Sequence, residues 1–173
     1  MMGALMKKAL FFSTLYLFAC CSGLVAQEIT GFWKSLNDKT QIIQCVIAVY
    51  EYKDKYYGRI IGTYDDNGKL VDDIHAPTFH APGVAGHPYY AGLDLIWNLR
   101  QKGSKFKGKI IDPQKGGVYN SVLWIRDGNL IVRGELLVFG RNTTWYPIEA
   151  GDFPEGYKMP DVASFVPVIP EGV

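Results

Sequence analysis

Gly108-Lys-Ile-Ile-Asp-Pro-Gln-Lys-Gly-Gly-Val-Tyr119 reads as two strands joined by a tight turn. An apolar run stops at Asp112-Pro113, turns through Gln114-Lys115-Gly116-Gly117 and resumes at Val118. Proline fixes one backbone angle and glycine tolerates the unusual ones, which is what a turn between strands needs. Just upstream, Phe106, Gly108 and Ile110 alternate with Lys105, Lys107 and Lys109, the period of two expected of a half-buried strand.

The same grammar extends in both directions. Residues 92–100 place Leu93, Leu95, Trp97 and Leu99 on one face and Asp94, Asn98 and Arg100 on the other. Downstream, residues 118–126 run into the hairpin signal Asp127-Gly128-Asn129, followed by a strand over 130–138. A turn is expected at 139–142 and an eighth strand at 143–148. Towards the N-terminus, strands are expected over 29–33, 41–52 and 56–64, with Asn67-Gly68 marking a type I′ turn after the third. Gly58 and Gly62 alternate with Ile60 and Tyr64, a spacing suited to a curved barrel wall.

Two segments break the pattern. Residues 72–91 hold Pro77, Pro82, Pro88 and all three histidines, His75, His80 and His87, and read as a long ordered loop. Residues 150–173 hold Pro154, Pro160, Pro167 and Pro170, which excludes a central strand and leaves a tail packed on the outside. The predicted class is therefore all-β: a single-domain, up-and-down antiparallel barrel of about eight strands over 27–149. Closing the meander removes its two sticky edges.

Residues 1–26 read as a secretory signal peptide: Lys7 and Lys8, an apolar run over 9–19, and a small-residue site ending at Leu24-Val25-Ala26. The apolar run is shorter than the roughly 20 residues that a membrane span needs. Cleavage leaves 147 residues, enough for one domain with a sizeable core. The alternative is a lipid anchor on Cys20 within Leu17-Phe18-Ala19-Cys20, disfavoured by bulky Phe18. A periplasmic or secreted location follows. Eighteen basic residues, of which Lys7 and Lys8 leave with the leader, face 17 acidic ones, so nucleic acid is not expected as a partner. Cys45 alone remains after Cys20 and Cys21, and within Ile43-Gln-Cys-Val-Ile it reads as a small buried hydrophobe.

Gly31-x-Trp33, Tyr57-Gly58-Arg59-Ile60, Gly92-Leu93, Ile96-Trp97, Ile111-Asp112-Pro113, Leu130-x-Val132-Arg133-Gly134 and Gly140-Arg141-x-x-x-Trp145 occur in that order. In this arrangement the chain resembles a bacterial envelope family, domain of unknown function 2147, over roughly 29–147. Many members carry a cysteine pair in the loop before the Gly-Leu strand, and this chain has histidines there instead. The early Gly-x-Trp with a late arginine also resembles lipocalins and fatty-acid-binding proteins. That resemblance implies an arginine packed over Trp33, with Arg133 and Arg141 as candidates.

No phosphate loop, His-Glu-x-x-His or Gly-x-Ser-x-Gly occurs, and nothing assembles a nucleophile, a base and an orienting group. No catalytic residue, cofactor or metal is assigned. The histidine spacings of five and seven fit no local metal template. Arg133 and Glu135 share a face with Ile131. On the inside they fix a ligand headgroup, and on the outside they form a solvated stripe. The expected function is binding of a small apolar or lipid-like molecule in the barrel mouth, with 72–91 as lid. Candidate site residues are Trp33, Tyr57, Arg59, Trp97, Tyr119, Arg133, Glu135, Arg141 and Trp145. The competing expectation is a filled barrel acting as a protein-interaction module, and an enzyme comes third.

Overall fold

The computed structural model describes residues 28–136 and 139–170. The expected signal peptide and its cysteines lie outside them, as do the last two residues of the expected 130–138 strand. Among the described residues nine antiparallel strands form one sheet: β1 (Gly31–Leu36), β2 (Ile43–Tyr52), β3 (Lys55–Tyr64), β4 (Leu70–Asp73), β5 (Asp94–Lys102), β6 (Lys105–Ile111), β7 (Val118–Arg126), β8 (Asn129–Leu136) and β9 (Phe139–Pro147). β1 pairs with β9 and β2 with β3, so eight of them close into a barrel while β4 flanks the far end of β3. The one helical element among the described residues is the single turn Val162–Ser164.

Local chemistry explains most joints. β7 and β8 meet through Asp127-Gly128, both with positive φ, the geometry a two-residue hairpin loop requires. Lys53 and Asp54 also adopt positive φ between β2 and β3. The 65–69 turn differs from the type I′ expectation. Only Gly68 is left-handed there, and the Asp65 carboxylate accepts from the Asn67 and Lys69 amides. The turn expected at 139–142 is instead the start of β9, paired with β8 from Phe139 onwards. Its side chains at 139–142 are all exposed, so no buried partner showed its period.

Within β5 the register slips between Trp97 and Arg100, and Asn98 takes a positive φ, which marks a bulge. Gly108 lies opposite. A Cβ there would stand 2.6 Å from the Trp97 carbonyl oxygen and 2.8 Å from the Leu99 nitrogen, so only glycine lets β6 pass the bulge.

The interior is filled at one end. Phe106, Leu123 and Leu130 point inward near the β5–β6 and β7–β8 hairpins and are buried with Leu99, Val49 and Trp33. The Trp33 indole donates to the Ile29 carbonyl at 2.9 Å, pinning the entry segment to that end. At the other end lie the β1–β2 connection, the β6–β7 turn and the loop between β4 and β5.

The segment 150–170 runs along the outside. Lys34 holds Asp152 at 3.0 Å, the Tyr64 hydroxyl donates to the Asp152 carbonyl, and Phe153 stacks on Tyr157. Further on it is clamped by a buried cluster. Asp94 has no solvent exposure and accepts from Arg59 Nη2 at 2.8 Å, the Tyr50 hydroxyl at 2.9 Å and the Val168 amide at 2.5 Å. Arg59 also donates to the Val166 carbonyl, and its guanidinium lies 4.5 Å from the Phe165 ring centroid.

Candidate functional site

The open end of the barrel encloses a cavity of about 1100 Å³. Its wall is built by register. Trp33 pairs with Ile47 and Ser35 with both Cys45 and Trp145, so Ser35, Cys45, Ile47 and Trp145 point to the same side, inward. Ile60 faces in opposite Ile47, and Leu95 and Thr143 complete the inner wall. A side chamber of about 200 Å³ adjoins it, sharing Trp145, Thr143 and Arg141 and adding Ile110, Tyr119, Val132 and Gly134. The wall is apolar at depth, with hydroxyls and a thiol above.

The loop between β4 and β5 supplies the remaining side. Phe79, His80, Pro82 and Tyr90 line the cavity. Asp72 organises the start of this loop. One carboxylate oxygen accepts from the Thr78 amide at 2.6 Å and the Thr78 hydroxyl at 3.0 Å. His80 and Tyr89 form a bridge, and the His80 ring donates from Nδ1 to the His87 carbonyl. The loop then docks on the β6–β7 turn. The Gly83 amide donates to the Pro113 carbonyl, and a Cβ on Gly116 would sit 2.1 Å from the Gly83 carbonyl oxygen. Backbone packs on backbone there, which side chains at either position would prevent.

Three of the expected site residues meet at this cavity: Tyr119, Arg141 and Trp145. Arg141 stands at the rim in an ion pair with Asp38 of the β1–β2 connection. Arg133 and Glu135 are paired with each other at 2.7 Å on the outer face, opposite Val122 and Asn120 of β7. The solvated stripe is therefore the arrangement observed. Tyr57 and Arg59 also face outward, beneath the C-terminal segment, because Gly58 and Ile60 take the inward places of β3. Trp33 is buried in the packed end of the barrel, and Trp97 is buried too, paired across to Lys109 of the outer face and away from the cavity. Neither late arginine packs over Trp33. Arg133 is outside, and Arg141 lies six residues along β9 from Pro147, the partner of Trp33, or roughly 20 Å of strand.

Ser35, Cys45, Ile47, Ile60, Leu95, Tyr90 and Thr143 also line the cavity and are not among the site candidates the sequence suggests. The first four follow from Trp33 once the β1–β2 and β2–β3 registers are known. Nothing local marks Tyr90. Gly134 leaves interior room, with its nearest neighbour 3.7 Å from a built Cβ. The space beside Gly58 is taken by Ile96 and Ile47, and that beside Gly62 by Leu70.

Burial pushes the Cys45 thiol up to about 12, so it stays neutral at physiological pH. Burial, reinforced by Asp112, raises Tyr90, whose hydroxyl has no protein partner among the described residues. No group of three metal-ligating side chains occurs among the described residues. His75 instead bonds the Lys158 carbonyl at 2.8 Å.

With this geometry in hand, the comparisons are specific about kinship. The family described as "Uncharacterized protein conserved in bacteria (DUF2147)" matches residues 31–146, from β1 to the end of β9. The chain belongs to this family. No curated protein matches it. Among solved structures, protein HP1028 from the human pathogen Helicobacter pylori, described as belonging to the lipocalin family, aligns with TM-score 0.53 at 13% identity, covering 71% of this chain and 84% of that one. At that identity the likeness is one of fold: a lipocalin-like, eight-stranded barrel.

Proposed function

We propose that this DUF2147 protein is a non-catalytic carrier of a small apolar or amphipathic molecule held in the barrel mouth. One observation carries the reading: the barrel is filled at one end and open at the other, around about 1100 Å³ walled by Ile47, Ile60, Leu95 and Trp145. Sites of this kind combine an apolar wall with a few polar groups that orient the ligand. Tyr90, Thr143, Ser35 and Arg141 are those groups here. An unpaired buried hydroxyl such as that of Tyr90 is stabilised by a ligand acceptor. The loop over 72–91 acts as the lid, anchored at its base by Asp72 and at its tip by the Gly83–Gly116 contact.

The reading includes export. Residues 1–26 serve as a removable leader and the barrel works in the periplasm or outside the cell. No helix among the described residues is long and apolar enough to cross a membrane.

Native mass spectrometry of protein purified from its own envelope tests the carrier reading, followed by organic extraction of the bound material. A stoichiometric lipid or metabolite, lost in a Gly134→Phe variant that fills the side chamber, is the expected result. A clean apo mass with no binding across a lipid panel overturns it. Intact mass also separates cleavage after Ala26 from acylation at Cys20.

A further inference from the structure

The outer face of β5–β8 carries a charge distribution that neither the fold nor the cavity explains. Cross-strand pairing sets Arg100 opposite Lys107 and Lys102 opposite Lys105. Like charges placed directly opposite one another destabilise a sheet. Lys109 continues the row along β6, while Arg126 and Arg133 extend it onto β7 and β8. Seven of the 18 Lys and Arg residues of the chain therefore share one face. Among the described residues, the carboxylates on the strands of that face are Glu135, already paired with Arg133, and Asp94, buried against Arg59 beneath the C-terminal segment.

At the centre stands Trp124, partly exposed, with Lys105 Nζ 5.1 Å and Arg126 Cζ 5.7 Å from its ring. A surface groove of about 320 Å³ runs between Lys105, Lys107, Trp124 and the Arg133–Glu135 pair over a floor of Val122. A chain near neutrality overall has thus spent stability to gather cations around an indole. A stability cost of that kind is offset when an anionic partner covers the face.

We propose that this face docks on an anionic lipid bilayer. Charge complementarity selects an anion, and the layout selects a surface. The cations spread across four adjacent strands, about 14 Å at the usual strand spacing, where a single-stranded polyanion needs only one track. Tryptophan among basic residues is the side chain that prefers the headgroup level of a membrane. The docking is peripheral and independent of whether the mouth holds a ligand.

The test is vesicle co-sedimentation of the processed protein at low and at physiological salt. Vesicles are either phosphatidylcholine alone or phosphatidylcholine with a third phosphatidylglycerol. Binding only to the anionic vesicles is expected, weakening as salt rises. The triple variant Lys105→Gln, Lys107→Gln, Lys109→Gln should partition roughly 100-fold more weakly, since each basic residue near an anionic leaflet contributes about a factor of five. A control triple variant at exposed positions elsewhere (Lys39→Gln, Lys69→Gln, Lys115→Gln) should bind like the parent. Circular dichroism confirms that both variants fold. Equal binding to neutral vesicles, or equal loss in the two variants, overturns the assignment. So does binding to heparin or polyphosphate without binding to vesicles.

Discussion

Replacing Arg59 by Met isolates the clamp that holds the C-terminal segment on the barrel. The Arg59 side chain is 8% exposed and that of Asp94 is 0%, so their pairing is not diluted by solvent. Burial raises the Asp94 carboxyl, against the pull of Arg59, the Val168 amide and Tyr50. Removing the guanidinium leaves the carboxylate with only Tyr50 and Val168, and an uncompensated buried charge costs roughly 3–5 kcal/mol. The Val166 carbonyl and the Phe165 ring lose their partner in the same step. For a domain of this size each kcal/mol lowers Tm by about 2–4 °C, so a fall of roughly 6–20 °C is expected. Urea unfolding gives the free energy, and limited proteolysis with mass mapping shows whether cleavage appears near 162–168. The double variant Arg59→Met, Asp94→Leu should recover most of the loss, since a buried pair replaced by apolar groups is often neutral. A single variant within about 1 kcal/mol of the parent, with the segment still resistant to protease, would refute the clamp.

Gly134 and Gly108 should respond oppositely to alanine. The open space at Gly134 allows a gain of about 0.4–1 kcal/mol from the stiffer unfolded chain, whereas the 2.6 Å contact at Gly108 costs roughly 1–3 kcal/mol, both read by urea unfolding. Cys45, with its thiol pushed up to about 12, should react with iodoacetamide at pH 8 roughly 50–100-fold more slowly than a free cysteine of pKa about 8.5, the lower thiolate fraction outweighing the higher nucleophilicity. Unfolding in urea should abolish that difference, and intact mass follows both rates. Burial raises Tyr157 to about 12 and raises Tyr64 and Tyr50 as well. Their folded pKa values exceed the unfolded value near 10, so their contribution is complete below pH 10 and is lost as pH rises through 12. Fluorescence-monitored urea midpoints should be flat from pH 8 to 9.5 and fall steeply above pH 10.

The strands that were readable from sequence are those with one wet face. β6 alternates because Lys105, Lys107 and Lys109 meet water while Phe106 is buried and Gly108 and Ile110 are half-buried. β2 carries no such signal over Val46, Ile47, Ala48, Val49 and Tyr50, which are all buried, since the C-terminal segment covers part of its outer face. Its β-branched content was enough to mark it as a strand. β4 was missed because four residues following a turn are too few to show a period. The first half of β9 was missed for a different reason: Gly140-Arg141-Asn142 has turn-like composition, and its pairing with β8 is decided by the partner strand.

The site was less readable because it depends on parity rather than on residue type. A shift of one residue moves a whole strand's side chains to the opposite face. Arg133 and Glu135 are therefore outside, while Val132 and Gly134, one position away, face the interior. Register is set by hairpins and bulges, and the bulge at Asn98 upsets the simple alternation expected across β5. The same reasoning explains why the basic face went unseen. Lys102 and Lys105 are three apart in sequence and show in any reading, but Arg126 and Arg133 join them only once β7 and β8 are laid beside β6 in register. A near-neutral chain can thus carry a strongly polarised surface, and excluding partners by net charge alone excludes too much. The docking of the mouth loop on Gly116 and the hold of Arg59 on the C-terminal segment are of this kind too. Each joins residues more than thirty positions apart and ends on a backbone carbonyl, which leaves no mark in composition or period.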